Sequence, residues 1–314
     1  MKRAKSETKR PSRFGLGTVQ FGLDYGIANK SGKVSPEDVR RILSRAREKG
    51  INFLDTSRGY GTSEEILGRT IKDLDARGDF LVCTKLDLPK DWETLSDAAL
   101  REAARVSLYT SLETLGLDRI PYYLLHTYDY ARLRDGLVWK FVQEEVARGT
   151  ILHAGISIAK NPSEALACLE DPGVSAIQIP YNLFDDRWHR EGVFARAAAK
   201  ATAVFTRSCY LQGLLVMDDG AAAAKLPRAA SYKERLSALA RELGMGLTEL
   251  AFRYVFSTQG IASTVMGLDA PAQLEENLAL YGAEPLPAEV MERIRRDFSG
   301  VPENIVNPSL WNAP

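Results

Sequence analysis

Four polar side chains occur where short apolar runs of the sequence come to an end. Asp55 closes one such run and Tyr60 follows it, while Lys85 lies near the end of a second run and His126 ends a third. In a barrel of alternating strands and helices, the active groups lie at the carboxyl ends of the strands. We therefore expect these four side chains to face one mouth of the fold.

Together these residue types can polarise a carbonyl group. A tyrosine has an ordinary pKa of about 10, so it needs help to exchange a proton near neutral pH. We expect the Lys85 ammonium to lower the pKa of Tyr60 and Asp55 to hold that ammonium in place. His126 would orient the carbonyl. The set has no hydride of its own, so the sequence implies a nicotinamide coenzyme.

Each residue also has a plainer interpretation when it is taken alone. A strand-end aspartate often caps a turn, a tyrosine is often part of a core, a lysine is usually solvated and a single histidine is often satisfied by its neighbours. Lys85 admits a second chemistry, because a lysine in a barrel can form a Schiff base and would make the protein an aldolase-like lyase. Borohydride trapping with substrate separates the two hypotheses.

Strand-like and helix-like segments alternate along the chain, as in βα units. The predicted strands are Phe14–Thr18, Ile51–Asp55, Phe80–Leu86, Tyr122–Thr127, Ile151–Ser157, Ala176–Asn182, Ala203–Cys209 and Ala262–Gly267. Eight such runs predict an α/β fold, a closed (β/α)8 TIM barrel. Helical segments near Leu247–Ser257 and Leu286–Phe298 exceed the eight crossovers and are predicted to be extra peripheral helices.

The first long helix has clear boundary signals. Ser35 to Asp38 supplies an N-cap, a first-turn proline and two acidic residues, and Gly50 would end the helix. Its apolar residues fall on one stripe, namely Val39, Ile42, Leu43 and Ala46. We expect this stripe to cover a strand.

The composition is typical of one globular domain. Of 314 residues, 45% are hydrophobic and 26% charged, and barrels of this size fold as single units. Lys plus Arg equals Asp plus Glu at 41 each, so no net field attracts nucleic acid or a membrane surface. Residues 1–12 are predicted to be a flexible basic tail, and residues 13–314 a single barrel domain.

The cysteines predict a cytoplasmic protein. Cys83, Cys168 and Cys209 are odd in number and far apart, which argues against a disulfide framework or a metal site. No run approaches the roughly 20 apolar residues of a spanning helix, so no membrane partner is expected. We expect a monomer or weak oligomer that acts on a small-molecule carbonyl substrate.

Longer motifs surround the four polar residues. They are Gly15-Leu16-Gly17-Thr18, the run from Leu54 to Gly61 with Ser63-Glu64 and Leu67-Gly68, Cys83-Thr84-Lys85, Leu124-Leu125-His126, Gly155-Ile156-Ser157, Ile177-Gln178 with Tyr181-Asn182, Ser208 to Gly213, and Val265 to Asn277. The pattern resembles the aldo-keto reductase family over nearly the whole chain past the tail. By that resemblance, the four residues match the family's catalytic tetrad. Tyr60 would act as general acid in reduction and as general base in oxidation.

The resemblance also implies how a coenzyme is held. Ser157 and Gln178 match positions that hydrogen-bond the nicotinamide carboxamide, and Gly17 and Thr18 belong to the matching first strand. The pyrophosphate loop corresponds to Ser208, Leu211, Gln212 and Gly213, and the adenosine end to Gly267, Asp269, Gln273 and Asn277. NADPH is the coenzyme that the family implies, and NADH is a possible alternative.

Some positions depart from the family pattern. Ile158 replaces an asparagine that often follows the carboxamide-binding serine, and Arg207 stands where an aromatic ring often stacks on the nicotinamide. The 2′-phosphate of NADPH normally meets a basic residue, but Asp269 occupies that neighbourhood. If Asp269 points inward it would repel the phosphate. If it points outward, as a helix N-cap, it says nothing about the coenzyme.

The substrate is the least determined feature. Tyr25, Trp92 and Tyr128, with Tyr130 and Trp311, could form an aromatic wall that suits a sugar face or an aryl aldehyde equally. Some proteins that resemble aldo-keto reductases are non-catalytic, cofactor-sensing subunits of larger assemblies. An assay with small aldehydes distinguishes that alternative, because a sensor binds the coenzyme and turns over negligibly.

Overall fold

A computed structural model of the chain describes residues 9–311, in which eight parallel strands close into one barrel in sequence order. The strands are β1 (Phe14–Gly17), β2 (Phe53–Asp55), β3 (Leu81–Leu86), β4 (Ile120–Leu125), β5 (Ile151–Ser157), β6 (Ala176–Pro180), β7 (Ala203–Arg207) and β8 (Ser263–Gly267). The closing pair, β1 with β8, aligns Gly17 with Gly267. The predicted (β/α)8 barrel is therefore confirmed.

Helices lie between the strands and follow the last one. They are α1 (Val19–Gly22), α2 (Pro36–Glu48), α3 (Ser63–Asp73), α4 (Asp97–Leu115), α5 (Tyr128–Arg132), α6 (Leu137–Arg148), α7 (Pro162–Cys168), α8 (Arg187–Arg190), α9 (Val193–Ala199), α10 (Asp219–Lys225), α11 (Ala230–Glu242), α12 (Leu247–Ser257), α13 (Pro271–Tyr281), α14 (Ala288–Phe298) and α15 (Glu303–Val306). In the described residues, no helix combines the length and apolar composition needed to cross a bilayer.

The predicted signals of the first long helix act as expected. The Ser35 hydroxyl accepts a hydrogen bond from the Asp38 N–H at 3.1 Å, and Pro36 occupies the first turn. Gly50 follows the helix with a φ of 73°, a left-handed conformation that favours glycine. The predicted stripe of Val39, Ile42, Leu43 and Ala46 is fully buried.

Several predicted boundaries shift by a few residues. Strand β4 ends at Leu125 rather than Thr127, because the Thr127 side chain caps α5 and accepts from the Asp129 N–H. Of the predicted peripheral helices, α12 has the predicted bounds, and α14 begins after Pro287.

An apolar cluster fills the barrel below the mouth. The rings of Phe53 and Phe205 have centroids 4.4 Å apart, and Tyr122 meets Phe205 edge-on at 5.1 Å. Such a filled interior is a packed core rather than a pore. Any site must therefore form above this cluster, at the carboxyl ends of the strands.

The end of the predicted basic tail contacts the face of the barrel at the amino ends of the strands, opposite the mouth. Lys9 donates to the Gly78 carbonyl at 2.6 Å. The Asn52 side chain bonds the backbone of Arg10 and of Ser12. Residues 9–12 are therefore attached to the barrel, and residues 1–8 of the predicted tail lie outside the described part of the chain.

Candidate active site

Strand geometry brings the predicted polar residues to one mouth. Side chains two residues apart in a strand point to the same face. Asp55 therefore points inward like Phe53, one step nearer the mouth, and Arg207 points inward like Phe205. The same spacing relates Lys85 to Cys83, His126 to Leu124, Ser157 to Gly155, Gln178 to Ala176 and Gly267 to Val265. The period of the strands thus assembles residues that are far apart in the sequence.

Lys85 and Asp55 form a buried ion pair at this mouth. Nζ of Lys85 lies 2.8 Å from each carboxylate oxygen of Asp55 and 2.8 Å from the carbonyl oxygen of Thr56. Burial by itself lowers the pKa of Lys85, but the charge of Asp55 acts against it and the pKa is raised overall. Lys85 therefore stays cationic, which disfavours the neutral amine that a Schiff base requires.

Tyr60 lies beside this pair. The ammonium of Lys85 is 5.0 Å from the centroid of the Tyr60 ring. Burial raises the pKa of Tyr60 above its ordinary value, and this effect exceeds the lowering by the charges of Lys85 and Arg207. The sequence predicted a lowered pKa for Tyr60, and this prediction is wrong because the net shift is upward. The burial that opposes the charge of Lys85 arises only in the tertiary structure. Tyr60 therefore keeps its proton at neutral pH.

The ring of His126 packs edge-on against Tyr60, with centroids 5.8 Å apart and planes at 76°. His126 is the first residue beyond β4 and lines the same cavity as Tyr60 and Asp55. Lys85 is buried directly behind Asp55. All four residues are therefore within one cluster.

Close backbone packing fixes the loop that carries Tyr60. A Cβ added to Gly22 in α1 would lie 1.9 Å from the carbonyl oxygen of Tyr60 and 2.5 Å from the Ser63 nitrogen. Gly61 has a φ of 57°, and its added Cβ would lie 2.7 Å from the Gly22 carbonyl oxygen. The two glycines allow α1 to rest directly on the tyrosine loop.

Asp55, Tyr60 and His126 border a cavity of about 540 Å³, and Lys85 lies buried behind Asp55 without lining it. This volume is in the range that small-molecule and coenzyme sites occupy, roughly 300–1,000 Å³. The predicted site residues that line it are Gly17, Thr18, Tyr25, Asp55, Tyr60, His126, Ser157, Arg207, Ser208, Gln212, Gly213, Gly267, Asp269, Gln273 and Asn277.

Other predicted residues lie elsewhere. Leu211 is fully buried in the hydrophobic core. Trp92 packs edge-on against Tyr130 at 5.2 Å, and Tyr128 lies beneath the Arg132 guanidinium at 5.8 Å. Neither Trp92 nor Tyr128 lines the cavity, so of these aromatic candidates only Tyr25 does.

Gln178 is fully buried behind the cavity, paired in register with Ser157. Its Nε2 donates to Asp55 Oδ1 at 2.7 Å, while its buried Oε1 has no hydrogen-bond partner among the described residues. An unsatisfied buried acceptor is costly. Oε1 is therefore an unused acceptor on the strand next to Ser157, which lines the cavity.

Comparisons with known proteins agree with this geometry. Residues 13–296 match the model of the aldo/keto reductase family. The chain belongs to this family. It is 26% identical to a D-threo-aldose 1-dehydrogenase from a Pseudomonas species, covering 88% of this chain and 94% of that protein. It is 28% identical to an L-galactose dehydrogenase from Arabidopsis thaliana, covering 84% of each chain.

A crystal structure described as an aldo-keto reductase from Pseudomonas aeruginosa shares the fold, with a TM-score of 0.65. That protein is 23% identical over 88% of this chain and 92% of its own.

The far end of the cavity in this aldo-keto reductase is acidic. Ala270, not Asp269, is the N-cap of α13, and Asp269 lines the cavity with Glu276. Of the two orientations open from the sequence, the structure has the inward one. Among the described residues that line the cavity, Arg207 alone is a lysine or arginine.

The loop after β7 has an unusual backbone. Three of its residues other than glycine have positive φ, namely Ser208 at 64°, Leu211 at 48° and Gln212 at 54°. Such conformations are costly and cluster at functional sites. The Gln212 side chain donates to the Tyr25 hydroxyl at 3.1 Å, and a Cβ added to Gly213 would lie 2.3 Å from the Ala28 Cβ. The loop therefore bridges to the segment that follows α1.

Sequence reasoning missed part of the lining. The additional residues are Val19, Gln20, Gly26, Ala28, Asn29, Cys209, Tyr210, Val216, Thr248, Val265, Met266 and Glu276. Helical spacing could have identified Glu276, which lies three residues after Gln273 on α13. Tyr210, whose hydroxyl donates to Asn277 at 2.6 Å, lies inside the predicted loop. No sequence signal indicated Gln20 or Thr248.

Proposed function

We propose that this aldo-keto reductase converts aldehydes or ketones to alcohols with NADPH or NADH, and that Tyr60 donates the proton. The observation that carries the proposal is the placement of Lys85. Its ammonium is fixed by Asp55 and lies 5.0 Å from the Tyr60 ring centroid, beside a cavity that His126 also lines. A phenol beside a fixed cation can release its proton, because the cation stabilises the phenolate that remains.

The chain's residues divide the work of the reaction. A bound nicotinamide coenzyme would supply the hydride. Tyr60 holds the proton, His126 contacts the carbonyl oxygen, and Lys85 stabilises the charge left on Tyr60. Ser157, which lines the cavity, and Gln178 behind it would hold the carboxamide of the coenzyme. The same tyrosine acts as the general base in the reverse direction.

The coenzyme proposal concerns the acidic end of the cavity. Asp269 is half-buried, and burial raises the pKa of its carboxyl. Its backbone N–H donates to Gln273 at 2.7 Å, which fixes the turn before α13. A carboxylate here would repel a 2′-phosphate and accept hydrogen bonds from free ribose hydroxyls. We propose weak discrimination, with NADH usable and any preference for NADPH small.

The test is the variant Tyr60→Phe, which removes the transferable proton and little else. We expect aldehyde reduction to be abolished while coenzyme affinity, measured by fluorescence titration, stays nearly unchanged. A variant that keeps more than about a tenth of wild-type turnover would refute the assignment, since general acid catalysis contributes about a hundredfold or more.

Substrate choice is tested with a panel of aldehydes, ketones and aldoses. The two dehydrogenases described above are named for an aldose and for galactose, so aldoses are tested both for reduction and for oxidation. Turnover of no compound, together with tight coenzyme binding, would favour the cofactor-sensing alternative. Borohydride trapping on Lys85 would favour the lyase, which the raised pKa of Lys85 argues against.

A further inference from the structure

Ser57 lies in the loop between β2 and Tyr60, and its side chain is fully buried. The Gly59 N–H donates to Ser57 Oγ at 3.1 Å, and the same Oγ lies 3.2 Å from Nδ1 of His126. In the described residues, these are the hydrogen bonds of this hydroxyl. In the bond from Gly59, Ser57 Oγ is the acceptor. The hydrogen of the Ser57 hydroxyl therefore still needs an acceptor of its own.

Among residues 9–311, that hydrogen has one acceptor within reach, Nδ1 of His126. A buried hydroxyl that donates to nothing is costly, so the Ser57 hydroxyl must donate to Nδ1 of His126. A neutral histidine carries its hydrogen on one ring nitrogen only, and which one is set by the bond that the other nitrogen makes. With Nδ1 as acceptor, the hydrogen lies on Nε2.

We propose that Ser57 is a positioning residue that fixes His126 in the Nε2–H tautomer. His126 lines the cavity, and Nε2 has no hydrogen-bond partner among residues 9–311. A neutral imidazole N–H then donates to the carbonyl oxygen on which negative charge develops. The role of this N–H in catalysis rests on the proposed function, whereas the tautomer itself does not.

Asp87 is the competing partner for the same nitrogen. Its Oδ1 lies 3.8 Å from Nδ1 of His126, beyond hydrogen-bond range, and its side chain is 40% exposed. A closer approach would place a proton on Nδ1. A Cβ on Gly59 would lie 2.9 Å from Asp87 Oδ2 and 3.3 Å from His126 Cε1, so the glycine leaves room for this arrangement.

The experiment reads the tautomer directly from coenzyme-free protein. The chain contains three histidines, so ¹⁵N-histidine labelling gives a simple spectrum, and His126→Gln assigns the signals of interest. In the wild type we expect a protonated Nε2 and an unprotonated Nδ1. Ser57→Ala should increase the protonated Nδ1 population, Ser57→Thr should retain the wild-type pattern because it keeps the hydroxyl, and Asp87→Asn should leave the pattern unchanged.

Kinetics provide the second measurement. Ser57→Ala should lower kcat for reduction by about tenfold or more, because the catalytic imidazole loses the bond that orients it, without changing the Kd for coenzyme. Ser57→Thr should restore most of it. A protonated Nδ1 in the wild type, an unchanged pattern in Ser57→Ala, or a proton that moves in Asp87→Asn would overturn the proposal. If the spectra agree but no carbonyl compound is reduced, the proposed function fails and the tautomer assignment stands.

Discussion

Gln178 donates a 2.7 Å hydrogen bond to the same Asp55 carboxylate that binds Lys85. Gln178, the candidate coenzyme contact, and the Lys85 ammonium beside Tyr60 are therefore joined through one buried carboxylate. A substitution at Gln178, beside the proposed nicotinamide position, should therefore alter the Asp55–Lys85 ion pair next to Tyr60.

Gln178→Leu tests this connection. It removes the donor to Asp55 and the unpaired acceptor suited to the carboxamide, so we expect the Kd for coenzyme to rise about tenfold, close to 1.4 kcal/mol, and kcat to fall. Gln143→Leu is the matched control, because Gln143 lies on α6 away from the cavity. Equal coenzyme affinity in the two variants, measured by calorimetry, would contradict the assignment of Gln178.

Removing one member of the buried ion pair should destabilise the protein as well as inactivate it. Lys85→Met leaves Asp55 charged and without its cation, and we expect the free energy of unfolding to fall by about 3 kcal/mol. The double variant Asp55→Asn with Lys85→Met should recover part of that loss, since no uncompensated charge remains. Urea denaturation measures both, and no recovery in the double variant would argue against the pair as the cause.

The raised pKa of Tyr60 predicts different pH dependences for the two directions of the reaction. Because Tyr60 stays protonated below its pKa, its proton is available for reduction throughout the neutral range. Oxidation needs the phenolate, so its rate should rise by about tenfold per pH unit towards that pKa.

Ultraviolet difference titration against Tyr60→Phe locates the pKa itself. The charge of Lys85 lowers this pKa, so Lys85→Met should move it further up. An ionisation of Tyr60 near neutral pH in coenzyme-free protein would contradict the prediction.

Gly22→Ala should damage the site without changing any polar residue. The added Cβ would lie 1.9 Å from the Tyr60 carbonyl oxygen, so the loop must move. We expect the free energy of unfolding to fall by about 1–3 kcal/mol and kcat to fall about tenfold or more. Gly282→Ala is the control, since its Cβ would meet nothing within 4 Å at an ordinary φ of −87°. Similar losses in both variants would exclude steric contact with Tyr60 as the reason.

Asp269→Arg should raise the affinity for NADPH relative to NADH. It replaces a carboxylate that lines the cavity with a guanidinium able to bind a phosphate. We expect the ratio of the two Kd values to shift towards NADPH by at least about tenfold. Asp118→Arg makes the same charge change at an exposed site and should leave the ratio unchanged. A wild-type preference for NADPH beyond about a hundredfold would mean that another basic residue reaches the phosphate.

The sequence by itself determined the barrel and the four polar residues at its mouth. Both follow from periodicity: alternation of strand and helix patterns predicts the closed sheet, and a period of two brings Asp55, Lys85 and His126 to its inward face. Local signals predicted α2 equally well. Ser35 caps the start of the helix and Gly50 follows its end, and both affect only backbone a few residues away.

Only the tertiary structure decided the features that depend on long-range packing. The net pKa shift of Tyr60 is upward because burial outweighs the charges of Lys85 and Arg207, and no local pattern records that burial. Asp269 faces the cavity because α13 begins one residue later than an aspartate N-cap would require. Trp92 packs against Tyr130 and does not line the cavity. Apolar contact is non-directional, so the presence of an aromatic residue in the sequence does not determine which residue it packs against.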